Sequence, residues 1–391
     1  MQSLRPKIVT SLFSRSSNIV SAQRCTICKS ISSVHQQTRR VATTRRHTTV
    51  MSQNTSAAQS GLQPAESQHL SSPGTSIAQK AGNNRAASSS CASVAPQEPI
   101  IHDIFESKTS TWQYVVADPK TLAAVIIDPV LDYDPATHIL STNTADALLG
   151  LICEKGYKIE RILETHAHAD HITAASYLQD RLERERGHRP LIGIGKRIVN
   201  VQELFSQRYG VPADEFKGVF DVLFDDNDTF DLGELKVTVM HLPGHTPDHL
   251  GYKIGDNVFC GDSVFHTDIG TARCDFPGGS ANNLFYSAHK LLSLPDNVKI
   301  WTGHDYPSGD RKTPVPWQSV ADHKEQNKHL RVGITEEEFV ALRRERDATL
   351  GEPRLLHQSL QMNIRAGKLP KQTDSRHRLL HLPLKLGVTE W

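Results

Sequence analysis

Short runs of apolar residues, broken at Gly, Pro and Asp, divide the second half of the chain into strands. Residues 112–116 and 123–127 read as a strand pair, with Asp118-Pro119 in the turn and Asp128-Pro129 closing the second run. Further strands are predicted at 158–163, 191–194, 257–260 and 298–301, and a hairpin at 229–240 turns at Gly233. Helical periodicity marks 144–154, 171–184 and 197–209. Ser280 is a suitable N-cap for a helix running to Leu292, with Leu284, Ala288, Leu291 and Leu292 on one face. Thr335 followed by Glu338 is a capping-box pattern; it opens a charged helix over 336–350 with Phe339, Leu342 and Ala348 inward. Strands feeding helices twice over predict a layered α/β core starting near Ile101, without fixing the order of the strands.

Composition divides the chain further. With 391 residues and 38% apolar content, a large core is easily built. The formal net charge of +1 conceals an asymmetry. The first 97 residues hold eleven Lys or Arg and a single acid, Glu66, which leaves 33 basic and 42 acidic residues for the remainder. Residues 1–50 lack Asp and Glu and are rich in Ser, Thr and Arg, the composition of a mitochondrial transit peptide; a basic tail binding anionic surfaces is the alternative. Residues 51–97, rich in Ser, Ala, Gln and Asn, are too polar to fold alone and are read as a linker. The expected domain is then 98–310, followed by a C-terminal helical extension, 311–391, packed on it. No run approaches the ~18 apolar residues that span a bilayer. Neither a membrane nor a nucleic acid is an expected partner, and a homodimer is left open. Cys25 and Cys28 form a CxxC without a second half, inside the basic segment. The remaining cysteines, Cys91, Cys153, Cys260 and Cys274, show no disulfide framework, as in a reducing compartment.

The chemistry is concentrated in Glu164-Thr165-His166-Ala167-His168-Ala169-Asp170-His171, directly after the predicted strand 158–163. Three imidazoles and an aspartate at a strand end can aim several donors at one point, and these donors suit zinc, iron and similar divalent metals. Further donors follow at the ends of other apolar runs: His245 in Pro-Gly-His-Thr, Asp262 in Gly-Asp, and His304 in Gly-His-Asp. His241 and His249 flank the second motif and are not assigned as ligands. Donor counting leaves two chemistries open. Two zinc ions would take His166, His168 and His245 at one position and Asp170, His171 and His304 at the other, bridged by Asp262, and would hydrolyse esters, thioesters or lactams. A single Fe(II) would take two histidines and one carboxylate, the facial arrangement of non-haem oxygenases.

The HxHxDH turn followed by GH, GD and GHD resembles the metallo-β-lactamase superfamily, which implies a four-layer αββα sandwich. The segments Thr165–Thr173, Pro243-Gly244-His245-Thr246-Pro247, Arg273-Cys274-Asp275-Phe276 and His304-Asp305-Tyr306 together resemble persulfide dioxygenases of the ethylmalonic-encephalopathy type. Gly270 to Gly279 is closest to their bacterial-type branch. The resemblance covers roughly residues 100–310. It implies one Fe(II) per chain on His166, His245 and Asp262, with His168, Asp170, His171 and His304 around it, or supplying a second metal. It implies Arg273 and Tyr306 as shapers of the substrate pocket, glutathione persulfide and O2 as reactants, and a place in sulfide detoxification in the mitochondrial matrix. The alternatives are a two-metal hydroxyacylglutathione hydrolase of the glyoxalase II type and a catalytically silent metal-binding or adaptor protein.

Overall fold

In the computed structural model, residues 98–387 are described. The basic segment, the linker and the CxxC lie outside them. The first sheet contains β1 (Ile100–Glu106), β2 (Thr111–Ala117), β3 (Ala123–Ile127), β6 (Lys158–Leu163), β8 (Leu191–Gly195) and β9 (Val222–Phe224) in the order β1-β2-β3-β6-β8-β9. A second sheet runs in sequence order through β10 (Thr229–Leu232), β11 (Leu235–His241), β12 (Leu250–Ile254), β13 (Asn257–Phe259), β14 (Lys299–Trp301) and β15 (Trp317–Ser319). A small three-stranded sheet joins β4 (Val130–Asp134), β5 (Ile139–Ser141) and β7 (Ile172–Thr173). The helices are α1 (Asn143–Lys155), α2 (Ala175–Arg186), α3 (Ile198–Tyr209), α4 (Ala281–Leu292), α5 (Val320–Gln326), α6 (Glu336–Asp347) and α7 (Leu356–Asn363).

Strand alternation sorts the apolar side chains into three cores, and so into four layers. Along β2 and β3, Val115, Ala117, Ala124 and Ile126 face α1 to α3, while Tyr114, Val116, Val125 and Ile127 face the other sheet. Val237, Val239, Tyr252 and Phe259 meet them from the second sheet. The outer face of that sheet, with Val258 and Ile300, packs on Leu284, Ala288 and Leu291 of α4 and on Phe339 of α6. The expected αββα sandwich is therefore present. On β6, Ile159 and Ile162 reach the same helix-side core although three residues apart. A register shift opposite Ala124 and Val125 makes this possible, since one extra residue restores the face.

Most predicted elements form within a residue or two, and the Ser280 cap and the Thr335–Glu338 capping box are present. Two expectations need correcting. The helix predicted from 171 begins at Ala175, because Ile172 and Thr173 instead pair with Val130 and Leu131 as β7. On α6, Leu342 and Ala348 face solvent; the buried stripe is Phe339, Val340, Arg343 and Asp347. Arg343 and Asp347 form an ion pair at i,i+4 inside the protein, and Asp347 also accepts the Cys274 N–H at 2.8 Å.

β15 pairs with β14 and closes an edge of the second sheet, and α7 packs on β7 and α3. Among the described residues, no helix is long and apolar enough to cross a membrane.

Candidate metal centre

Four strand ends deliver the donors to one edge of the sandwich: β6 leads into 164–171, β11 into His245, β13 into Asp262 and β14 into His304. The turn after β6 is held from several sides. Asp128, at positive φ after β3, accepts the Thr165 N–H at 2.7 Å and the Thr165 hydroxyl at 2.8 Å. Asp248 accepts the Ala167 N–H at 2.9 Å. From α7, Asn363 donates to the carbonyls of His168 and His171, both at 2.8 Å, and accepts the Thr173 N–H at 2.9 Å.

His166, His245 and Asp262 offer ligand atoms that all lie within 4.8 Å of one another. His166 Nε2 is 4.0 Å and His245 Nε2 3.7 Å from Asp262 Oδ2. The opposite ring nitrogens are committed. The Thr165 hydroxyl gives its proton to Asp128, so its lone pair accepts His166 Nδ1–H at 3.0 Å. His245 Nδ1 donates to the Arg273 carbonyl at 2.8 Å. Both rings therefore turn an Nε2 lone pair toward Asp262, the orientation that metal-binding histidines acquire from a hydrogen-bonded second nitrogen. His166 Nε2 and Asp262 Oδ1 are buried with no hydrogen-bond partner among the described residues. Buried polar atoms rarely stay unpaired, and a cation held by His166 Nε2 and the Asp262 carboxylate would answer that need. The residues present fit a metal ion.

A second group adjoins the first. Asp170 Oδ2 lies 3.2 Å from His304 Nε2 and 3.3 Å from His171 Nδ1, and His304 Nε2 is 3.5 Å from Asp262 Oδ2. His304 Nδ1 donates to the Ser110 carbonyl at 3.0 Å. His168 points the other way: its Nε2 donates to Asp128 at 3.1 Å and faces Glu164 at 3.3 Å, while Nδ1 is buried and unpartnered. Electrostatics separates these rings. Burial, reinforced by neighbouring histidines, holds His166 well below the usual imidazole pKa, and burial also lowers His171. Both thus favour the neutral form that binds metals. For His168 and His304 burial acts in the same direction, but the carboxylates outweigh it: Asp128 and Glu164 push His168 up, and Asp262 and Asp170 push His304 up.

The ligand edge opens into a cleft of about 380 Å³ whose walls include Arg273 and Tyr306, so both predicted pocket residues reach it. Tyr306 stacks on His304 with ring centroids 5.7 Å apart. Burial, then Asp170 and Asp262, pushes its phenol pKa up, so it is a neutral hydroxyl. Arg273 is already engaged. Its Nε and Nη2 donate to Asp275, both at 2.5 Å, and Nη1 donates to the Gly351 carbonyl at 2.9 Å. The sequence reading assigned no part to Asp128, Glu164, Asp248, His249 or Asn363. His249 Nε2 accepts the Asp262 N–H at 3.0 Å and orients that ligand from behind. Glu164 opens the histidine-rich stretch and Asp128 ends the strand beside it, so both carboxylates stand at strand ends like the other donors. Asn363, almost two hundred residues from the turn, carries no local signal.

This fold and this site define a metal-dependent enzyme of the metallo-β-lactamase superfamily: residues 108–304 match that superfamily, and the chain belongs to it. Among its relatives, a "Beta-lactamase hydrolase-like protein" of Xylella fastidiosa is 43% identical over 74% of this chain, and the match spans 66% of that relative's own length. "Glyoxylase B2" of Dictyostelium discoideum is 40% identical over 71% of this chain and 94% of its own. "Persulfide dioxygenase ETHE1, mitochondrial" of Bos taurus is 30% identical over 53% of this chain and 68% of its own. The crystal structure of ETHE1 from Myxococcus xanthus superposes with a TM-score of 0.55 at 28% identity, covering 69% of this chain and all of that one.

Proposed function

We propose that the chain is a persulfide dioxygenase with one Fe(II), held by His166, His245 and Asp262. The observation that carries this reading is the contrast between the two donor groups. His166 Nε2 is buried without a hydrogen-bond partner, 4.0 Å from Asp262 Oδ2, whereas Asp170 of the second group is already paired with both His171 and His304. Two histidines and one carboxylate make the donor set that non-haem Fe(II) oxygenases use.

Iron there supplies the redox chemistry by which one glutathione persulfide, one O2 and one water give glutathione, sulfite and two protons, four electrons passing from the sulfur pair to O2. The chain's own residues orient and exclude. Thr165 and the Arg273 carbonyl fix the two imidazoles. Tyr306 offers a neutral O–H donor at the cleft wall, and Phe265, edge-on to both His304 and Tyr306, keeps that side apolar. His304 Nε2 and Asp170 Oδ2, 3.2 Å apart, hold a proton between them beside the site. Placing both reactants side by side in such a cleft is the larger part of what a protein adds to a metal's chemistry.

A two-metal hydrolase is the second reading. It is favoured by His171 Nε2 and His168 Nδ1, which are also buried and unpartnered, and by the hydrolase-like and glyoxylase names among the relatives. Iron-loaded protein is given glutathione persulfide in one cell and S-lactoylglutathione in another. The dioxygenase reading expects one O2 consumed per sulfite formed and no thioester hydrolysis. Hydrolysis without oxygen uptake, at two metal ions per chain, would establish the second reading instead. His304→Ala then separates them again: metal binding survives in the first case and is halved or lost in the second.

A further inference from the structure

The cleft beside the metal donors carries an excess of positive charge that neither the ligand set nor the fold uses. Five cations line it: Lys108, Arg273, Arg343, Arg346 and Arg354. Three have partners. Arg273 is bound to Asp275, Arg343 to Asp347, and Lys108 lies 3.6 Å from Asp132. The guanidinium groups of Arg346 and Arg354 make no hydrogen bond or ion pair among the described residues, and both residues are exposed at the cleft mouth. The only acids in the cleft wall are Asp170 and Asp262, which belong to the metal donors. The field is felt nearby. His329, bonded to Thr271 of the cleft wall, is lowered to about 3, by burial first and then by Arg343, Lys328 and Arg346.

Both free arginines come from the segment after residue 310: Arg346 from the last turn of α6 and Arg354 from the loop leading to α7. Gly351, between them, holds Arg273 through its carbonyl, which ties this loop to the cleft wall. Guanidinium matches carboxylate bidentately, and two of them at one mouth suit a ligand with more than one carboxylate. The volume of about 380 Å³ is in the range of small-molecule sites, roughly 300–1,000 Å³.

We propose that Arg346 and Arg354 form an anion subsite of the metal cleft that takes the carboxylates of a peptide thiol such as glutathione, while the sulfur end points to the metal donors. This rests on the proposed function and names the residues that select its substrate. Arg273 is a wall of the cleft, already neutralised, and not the principal anchor.

Glutathione binding to the full-length, metal-loaded protein is measured by calorimetry, without turnover. R346A and R354A are each expected to bind at least tenfold more weakly, and the double variant on the order of a hundredfold, as for lost charge-assisted hydrogen bonds. Glutathione diethyl ester, with both carboxylates masked, is expected to bind wild type as weakly as glutathione binds R346A/R354A. R344A removes the same charge from the outer face of α6 and is expected to leave affinity within twofold of wild type. A double variant with wild-type affinity overturns the subsite, and so does an R344A loss equal to that of R346A, which would mark a diffuse field. The two readings fail separately. Protein that binds glutathione through these arginines but consumes no oxygen with its persulfide retains the subsite and refutes the dioxygenase. Oxygen consumption alongside wild-type binding by R346A/R354A refutes the subsite alone.

Discussion

Asn363→Ala tests whether the segment after residue 310 governs the metal site. Its side chain makes three hydrogen bonds at 2.8–2.9 Å, two to carbonyls of the ligand turn and one from the Thr173 N–H that follows it. The residue is 4% exposed, and His168, His171 and Thr173 are likewise buried. Alanine leaves two carbonyls and one N–H unpaired in the interior. At ~1 kcal/mol for each lost bond, and more where no water enters, the loss should be about 3 kcal/mol. For a domain of this size that corresponds to a fall in melting temperature of roughly 6–12 °C. Stability alone does not show positioning, so the decisive measurement is metal affinity by chelator competition. Residues that orient metal ligands typically change affinity by about 10–100-fold. Leu360→Ala, one turn earlier on α7 and fully buried, is the matched control, because it opens a cavity of similar cost (~2–5 kcal/mol) without touching the turn. Asn363→Ala should lose metal affinity tenfold or more while Leu360→Ala stays within threefold. Equal affinity in the two variants would refute a specific hold on the ligand turn.

The other predictions concern a close approach, pH and targeting. A Cβ on Gly303 would lie 2.4 Å from Asp262 Oδ1, so Gly303→Ala should expel metal from a chain that still folds, as read by metal content beside circular dichroism; full metal loading would refute it. His329 accepts the Thr271 N–H at 3.0 Å as a neutral ring, and its folded pKa of about 3 lies below the unfolded value near 6.5. Its contribution is complete above pH 6.5 and is lost as pH falls toward 3. His329→Gln should therefore flatten the acid limb of a denaturation series over that window, and an unchanged slope would argue against it. If residues 1–50 direct import, a fluorescent fusion of the whole chain should enter mitochondria and be shortened before Ile101, while a 98–391 fusion stays in the cytosol; an intact, cytosolic full-length fusion would contradict this.

The donors were legible because each stands at the end of an apolar run, and a strand end fixes direction as well as place. His166, His245, Asp262 and His304 converge for that reason. Side-chain orientation was not legible. Arg273 is placed in the pocket by resemblance, but Asp275 is two residues away and a turn lets the two meet as a fork. His168 resembles its neighbours in the motif, but Asp128 and Glu164 claim one of its nitrogens from β3 and β6. The face of α6 misled for a related reason. Leu342 and Ala348 look like its core, but the buried Arg343–Asp347 ion pair takes the inward stripe with Phe339 and Val340.

The segment after residue 310 shows why a domain boundary drawn from motifs can mislead about function. Composition changes there, the metal motifs are finished, and the superfamily match stops at residue 304. Yet β15 completes the second sheet, α7 holds the ligand turn through Asn363, and α6 with its following loop walls the cleft. Removing the segment would leave every metal donor in the chain while exposing the edge of β14 and unpairing backbone groups at His168, His171 and Thr173. A chain ending at residue 310 should consequently be insoluble or metal-poor despite its complete donor set. A soluble, fully metal-loaded 98–310 fragment would mean that the fold holds the ligand turn without α7, and Asn363 would then be a contact of packing alone.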